Sequence, residues 1–392
     1  MFDVVVIGAG PAGSITAARL AERGHRVLVI EEHERAGEPV HCTGLVGDEA
    51  FSDFDLPRSL ILAHSDAARF WGATGQSVPV RSGRVSAVVI DRQVLDQHLA
   101  DRAMTAGATF RFGVRAEDVS VDASGARIVL RGTTDPIRAR LCVLACGANY
   151  RFHRALGLGL PDVFLQSAQV ETAFPEMPEI EVRFGRDVAP AGFAWLVPLR
   201  RGTTPMARIG LMSEDRSAHR FAQFSQKLWR RAGLDPALSP RPRLKMLPLG
   251  PVRRSYADRV VAVGDAAGLV KPTTGGGIYY GLLSGSMAAD VVDEALRRDR
   301  LDARALRAYE VDWRRRLGQE IRVGLAFRRI AARLSDQSID ELIELARVDG
   351  VVPLLERTAS FNWHRKAAIA LLGHPAVRRI VFRDWARSAT SI

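Results

Sequence analysis

Val4-Val5-Val6-Ile7-Gly8-Ala9-Gly10-Pro11-Ala12-Gly13-Ser14-Ile15-Thr16-Ala17-Ala18-Arg19-Leu20 runs a β-branched apolar segment straight into a glycine-rich turn and a helical pattern. The opening run reads as a buried parallel strand. Ser14 to Arg23 is predicted as a helix, with Ile15, Ala18, Leu20 and Ala21 on its packed face and Gly24 at its end. Arg26 to Ile30 reads as a second strand, closed by Glu31, 18 residues past Gly13. Strand, glycine turn, helix, strand and acid in this order define a dinucleotide-binding unit. Gly8 permits the tight turn, Gly10 lets backbone approach a pyrophosphate, and Gly13 lets the helix pack close. Pro11 and Ala12 open the helix, whose N-terminus offers free N–H groups and a favourable dipole to phosphates. Glu31 is placed to accept hydrogen bonds from ribose hydroxyls. Glu32 is the rival, but Glu31 continues the alternation of Val27 and Val29.

Such a unit holds either a nicotinamide or a flavin dinucleotide, and the far end of the chain separates them. Arg259 to Val263 is a further apolar strand, followed by Gly264-Asp265-Ala266-Ala267-Gly268. Lys271-Pro272-Thr273-Thr274-Gly275-Gly276-Gly277-Ile278 then opens a long apolar helix to about Leu296. This order resembles the second flavin fingerprint of the glutathione-reductase-type FAD enzymes. The resemblance implies that Asp265 binds the ribityl chain and that Gly275, Gly276, Gly277 and Ile278 lie against the isoalloxazine. Consecutive glycines opening a helix cost backbone entropy, so close approach to something flat accounts for them better than a plain connection. Val85 to Ala108 matches the same type, with Val88-Val89-Ile90-Asp91-Arg92 entering a helix marked by Leu95, Leu99 and Ala103. Arg92 then lies near the ribityl phosphate, or is an ordinary surface Arg, and Val114 lies near the adenine. Leu141 to Ala148 resembles a third flavin motif, where Cys146 stands in place of the usual Asp and Gly147 keeps the Gly. Cys142 and Cys146 are expected to share one strand face as packing residues.

Three stretches narrow the family: Pro39-Val40-His41-Cys42-Thr43-Gly44-Leu45-Val46, Pro190 to Pro198, and Lys271 to Ile278. Together they resemble the geranylgeranyl reductase family, over roughly residues 1 to 325. Two departures stand out: Cys42-Thr43-Gly44-Leu45 replaces a Cys-Gly-Glu type of run, and Phe193 and Val197 stand where the family has Tyr and Phe. The resemblance implies an α/β protein: a Rossmann-type FAD-binding domain of the glutathione-reductase and aromatic-hydroxylase type. An inserted antiparallel β-sheet substrate domain and a C-terminal helical region complete it. The expected partition is 1–62, 84–160 and 250–298 for FAD, 63–83 and 161–249 for substrate, and 299–392 for the helical region. Strand-like runs at Val163 to Phe174, Ile180 to Phe184, Phe193 to Leu199 and Met206 to Met212 agree, as does helical spacing beyond Leu301.

The implied reaction is saturation of a prenyl carbon–carbon double bond. An isolated trisubstituted alkene accepts hydride only with protonation of the neighbouring carbon, so a proton donor is needed. The resemblance nominates Cys42 near the flavin, with Thr43 and Leu45 also against the cofactor. A thiol with an ordinary pKa of about 8.5 stays mostly protonated at neutral pH. His41 or a water is an auxiliary donor, and packing beside the ring is the alternative role for Cys42. Phe193 and Trp195 either wall an apolar tunnel for the prenyl chain or form sheet core, and Tyr279 and Tyr280 are further tunnel candidates. FAD is expected to be non-covalent. There is no second G-x-G-x-x-G, so electrons come from transient NAD(P)H or a ferredoxin-like protein.

Composition bounds the rest. The 392 residues are 47% hydrophobic and 25% charged, which is globular and excludes a disordered or collagenous chain. Three cysteines exclude a disulfide framework and indicate a reducing compartment. With no signal peptide before the first strand, a cytoplasmic location is expected, peripheral to the inner face of the membrane. Neither H-x-H nor H-E-x-x-H occurs among the nine His, and no metal is expected. The net charge is +11, with a local excess in the C-terminal quarter. That excess reads as solvated helix faces or as attraction to anionic lipid. Nucleic acid is not expected, because no Lys-rich stripe with interleaved aromatics appears. The rival activities on this fold are a flavin monooxygenase or epoxidase and a halogenase. A quinone-reducing flavoprotein would need cluster cysteines after Cys146, and the non-enzymatic rival is a membrane-associated flavin-binding protein.

Overall fold

In the computed structural model, residues 1–81, 87–348 and 350–389 are described. The expected segment start at Val85 and the expected boundary between 83 and 84 lie outside the described residues. Nine elements position the site, in chain order: β1 (Phe2–Ile7), α1 (Pro11–Ala21), β2 (Val27–Ile30), β3 (Ile137–Leu144), β4 (Phe164–Ala173), β5 (Phe193–Arg201), β6 (Thr204–Ser213), β7 (Val260–Ala262) and α2 (Ile278–Arg297). By its contacts the chain forms two units. Met1–Val40, Asp91–Val163 and Pro248–Ile321 make the first, and His41–Ile90, Phe164–Leu247 and Arg322–Ile392 the second.

The first unit is built on a parallel sheet. β1 is central, with Val4 to Val6 fully buried, and pairs in parallel with β2 on one side and β3 on the other. Thr109–Arg111 extends the sheet beyond β2, and β7 extends it beyond β3. The strand order is therefore that of a doubly wound fold, whose direction of winding reverses between β1 and β3. The glycine turn leaves the carboxyl end of β1 at that reversal. A hairpin of Ala116–Asp122 and Gly125–Leu130 is attached to β3, and no part of the sequence reading anticipated it.

The second unit holds a larger, mainly antiparallel sheet. Its strands run Arg243–Pro248, β4, β6, β5, Ile180–Arg183, Ala67–Trp71, Ser77–Arg81. The two inserted segments thus share one sheet, through a parallel pairing of Ile180–Arg183 with Ala67–Trp71. Alternation divides it into two faces. Ala168, Val170, Ala194, Leu196, Ile209 and Leu211 pack against Phe221, Phe224, Leu228 and Trp229. Those four belong to the helix Ser217–Arg231, which lies within the stretch read as sheet. Gln169, Glu171, Phe193, Trp195, Arg208 and Gly210 occupy the opposite register positions.

The boundaries differ from the expected ones for a local reason. Leu45–Gly47, Ile61–Ser65 and Ala87–Ile90 form a small antiparallel sheet of their own. That pairing carries 41–62 and 87–90 into the second unit, where the sequence reading assigned them to the FAD domain. Beyond Leu301 the chain is helical, in Ala303–Ala331, Asp336–Val348, Val351–Thr358, Arg365–Gly373 and Pro375–Ala389. Among the described residues, no helix is long and apolar enough to cross a membrane.

Candidate functional site

In the first unit the glycines of the opening turn differ in the room around them. Gly8 has φ 108°, and a Cβ there would strike the Ala145 carbonyl. A Cβ on Gly13 would strike the Gly8 carbonyl and come within 2.9 Å of Ala145 Cβ. Gly10 is different: its Cβ would meet nothing within 4 Å. The protein has left space beside Gly10 at the start of α1, where a pyrophosphate would lie. Pro11 is the first residue of α1, no side chain caps that terminus, and its first turn holds no acid. The local field therefore favours an anion.

Glu31 closes the other side. Its Oε2 accepts the Ala9 N–H at 2.8 Å, and its Oε1 accepts the His33 N–H at 3.1 Å. His33 Nδ1 also meets Oε1, at 2.5 Å, so the carboxylate is held against the glycine turn with one Oε2 lone pair left over. Val114 donates its N–H to the Glu31 carbonyl at 2.9 Å, so the two residues lie side by side. Glu32 instead pairs with Arg115 at 3.6 Å on the surface.

The second fingerprint is brought to the first by a seam of small residues. A Cβ on Gly264 would lie 2.9 Å from Ala12 Cβ, and one on Gly285 would lie 2.5 Å from the Ala12 carbonyl. Thr16 Oγ1 donates across this seam to the Gly285 carbonyl at 3.1 Å. α1 and α2 therefore touch almost backbone to backbone. Asp265 lies in the turn Gly264–Ala267, and a Cβ on Gly277 would come 2.5 Å from its Oδ1. Gly275 (φ 71°), Gly276 and Gly277 end a loop closed on itself, since Lys271 N–H donates to the Gly276 carbonyl at 3.0 Å. Ile278 then starts α2, whose terminus also lacks a side-chain cap and a first-turn acid. Two uncapped helix N-termini, an open glycine and a fixed acid fit a flavin dinucleotide.

Several residues complete the picture. Tyr150 donates its hydroxyl to the Asp265 carbonyl at 2.6 Å, and His153 Nε2 bonds the Ala266 carbonyl at 2.6 Å. Both hold the Gly-Asp turn, and the sequence reading missed them because the contact spans more than a hundred residues. Burial raises the Tyr150 hydroxyl well above its ordinary range, so it stays a donor. Arg92 makes a two-pronged pair with buried Asp96, at 2.9 and 2.6 Å, on a helix capped by Asp91. β3 ends at Leu144, so Cys146 falls in the following turn and does not share a strand face with Cys142. Its thiol donates to the Asn149 carbonyl at 3.1 Å, and burial pushes it up to about 12. It is therefore neutral and cannot replace the missing Asp as an anionic acceptor. Gly147 follows with φ 61°. Tyr279 and Tyr280 are buried in the first turn of α2.

The second unit carries Cys42, Thr43, Leu45, Phe193 and Trp195. Cys42, Thr43 and Gly44 form an irregular segment leading into the strand that Leu45 begins. The Gly44 N–H donates to Cys42 Sγ at 3.3 Å. His41, just before it, is pushed down to about 4 by burial and by the charges of Lys245 and Arg243, so it is neutral at pH 7. Half-buried Phe70, Phe184 and Phe193 and buried Trp195 line one side of the large sheet. Phe70 and Phe184 stack at 6.4 Å, Phe184 meets Phe193 at 6.0 Å, and Phe193 meets Trp195 at 5.9 Å. Phe70 and Phe184 went unnoticed in the sequence because the register that aligns them is long-range. The four expected substrate residues are thus divided, Phe193 and Trp195 in this unit and Tyr279 and Tyr280 in the first.

A doubly wound sheet with two glycine fingerprints, an acid after the second strand and an inserted antiparallel sheet defines an FAD-dependent oxidoreductase. Residues 3–78 match the family model described as FAD dependent oxidoreductase. The chain is 30% identical over 359 residues to digeranylgeranylglycerophospholipid reductase 2 of Methanothermobacter thermautotrophicus, across 87% of this chain and 91% of that one. It is 28% identical over 360 residues to digeranylgeranylglycerophospholipid reductase of Methanocaldococcus jannaschii, across 88% and 90%. It belongs to the digeranylgeranylglycerophospholipid reductase family. Among solved structures, a geranylgeranyl bacteriochlorophyll reductase-like protein from Thermoplasma acidophilum superposes with a TM-score of 0.83, at 24% identity, over 98% of this chain and 99% of that one. The halogenase PltM with phloroglucinol and FAD gives 0.62 at 17% identity, over 97% and 90%. These structural likenesses speak to the fold.

Proposed function

We propose that this enzyme saturates carbon–carbon double bonds in the geranylgeranyl-type chain of a prenyl lipid. The observation that carries the reading is the aromatic row Phe70, Phe184, Phe193 and Trp195 in the unit that also holds Cys42. Such a row offers an apolar, shape-tolerant bed to an isoprenoid chain, with its π faces against the double bonds. Bound FAD, once reduced, supplies the hydride. The chain's own part is to hold the alkene and to deliver one proton. We assign the proton to the Cys42 thiol. Neutral His41 is next to it in sequence and is a candidate to restore that proton from solvent.

The aromatic row fixes the alkene, and the sheet excludes water from the cation-like carbon, which would otherwise be hydrated. Transient NAD(P)H or a ferredoxin-like protein restores the reduced cofactor. Peripheral contact with an anionic membrane belongs to the same proposal. Exposed Ile369 and Phe382 share the last two helices with Lys366, Arg378 and Arg379, a composition that suits a lipid headgroup layer.

The test is anaerobic. The flavin is reduced chemically, a geranylgeranyl lipid is added, and flavin reoxidation is followed with mass analysis for products heavier by two hydrogens. Cys42→Ala is expected to retain flavin and to slow reoxidation by about a hundredfold or more, the usual worth of a general acid. Normal turnover in that variant removes Cys42 as proton donor. Oxygen uptake coupled to substrate, without saturated product, would instead indicate a monooxygenase.

A further inference from the structure

The face of the large sheet that carries Trp195 also carries polar side chains with no place in the chemistry above, among them Gln169 and Arg208. Register sets them out. Gln169 on β4 lies opposite Gly210 on β6, and Gly210 lies opposite Trp195 on β5. In the neighbouring row of the same face, Glu171 lies opposite Arg208. Gly210 leaves a gap between its neighbours: a Cβ there would come 2.6 Å from Trp195 Cζ2. The indole occupies that gap, and its Nε1–H donates to Gln169 Oε1 at 3.2 Å. Gln169 Nε2 then donates to the Cys42 carbonyl at 2.9 Å.

Arg208 grips the next carbonyl along the chain and, with it, one on the neighbouring strand. Its Nη1 donates to Thr43 O at 2.8 Å and to Ile90 O at 3.0 Å, and its Nε pairs with Glu171 at 2.7 Å. Gly44 fits under this guanidinium with φ 67°, where any Cβ would collide with Nη1. Arg208 is 1% exposed, and its Nη2 is buried with no hydrogen-bond partner among the described residues. A buried guanidinium is a costly way to pack a sheet, and apolar residues of similar volume are often as stable. An unmade bond on a buried donor adds to that cost. What this arrangement gains is a grip on backbone carbonyls from paired, rigid strands.

We propose that Gln169 and Arg208 are positioning residues that hold the Cys42-Thr43-Gly44 segment by its carbonyls and thereby fix the direction of the Cys42 thiol. Trp195 is locked into the same chain of bonds, so the end of the aromatic row and the thiol are set by one structure. This inference rests on Cys42 being the proton donor.

The test uses the full-length, flavin-loaded enzyme and iodoacetamide, with alkylation of Cys42 timed by peptide mass. Gln169→Leu breaks the link to the Cys42 carbonyl, and Arg208→Lys keeps the charge but loses the fork. Both are expected to alkylate about three- to tenfold faster at Cys42, the worth of one ordinary hydrogen bond. Flavin content is expected to stay at the wild-type level, with kcat lowered and KM unchanged. Gln169→Glu keeps the acceptor for Trp195 and loses the donor to Cys42, so it is expected to speed alkylation with unchanged indole fluorescence. Should Arg208→Lys not fold, the two Gln169 variants decide. An alkylation rate below about threefold of wild type in Gln169→Leu, with flavin intact, overturns the positioning role. Because no substrate is present, that result leaves the reductase reading standing, whereas normal turnover by Cys42→Ala overturns the proton donor and this inference together.

Discussion

The glycine turns of the first unit and the Cys42 segment of the second are held by opposite means. Around Gly8, Gly13, Gly264 and Gly285 the protein subtracts side chains until backbone meets backbone. Around Cys42 it adds them, so that Gln169 and Arg208 reach from paired strands to grip carbonyls. The first design makes a rigid surface for a large flat cofactor, where each close approach depends on a missing Cβ. In the proposed reaction the second places a single reactive atom, where each contact depends on a directed donor. Damage should therefore appear differently in the two regions, as lost cofactor and fold in one and as altered chemistry with cofactor retained in the other.

The largest effect is expected at Gly13. Gly13→Val drives a side chain into the Gly8 carbonyl and Ala145, and is expected to cost about 3 kcal/mol and to abolish flavin binding. Urea unfolding and flavin absorbance report both. Gly10→Ala is the contrast, since its Cβ meets nothing in the protein. It is expected to fold within about 0.5 kcal/mol of wild type while releasing flavin. Equal stability losses in the two variants would erase the distinction between packing glycine and approach glycine.

Asp265→Ala comes next. Tyr150 and His153 hold the turn by backbone carbonyls, so the fold is expected to persist without the carboxylate. Flavin affinity is expected to fall about tenfold or more, the worth of a hydrogen bond to a charged group. Equilibrium dialysis of FAD measures it. Undiminished affinity would place the ribityl contact elsewhere.

The smallest effect is expected at His41. Its folded pKa of about 4 lies below the ordinary 6.5, so between those values the unfolded chain binds the extra proton. Its contribution to stability is therefore whole above pH 6.5 and is lost as pH falls from 6.5 through about 4. The urea midpoint measured across that window should drop less steeply in His41→Gln than in wild type. Parallel curves would show that the imidazole is not buried in its neutral form.

The cofactor cradle was legible in the sequence because its geometry is local. A glycine's freedom, a strand's β-branched run and a helix's first turn are properties of adjacent residues, so Gly8 to Gly13, Glu31 and Gly264 to Ile278 carry their reading in their order. The strand-like runs of β4, β5 and β6 were likewise visible, since β-favouring residues bounded by Pro and Gly mark each segment by itself. Register is another matter. It couples strands through pairings that no single segment encodes, and a shift of one residue would turn Gln169, Trp195 and Arg208 to the other face. Only the folded sheet could place Gly210 between Gln169 and Trp195, set Arg208 over Gly44, align Phe70 with Phe184, and end β3 before Cys146. Those contacts join distant parts of the chain, and their energies depend on packing that local propensity does not contain.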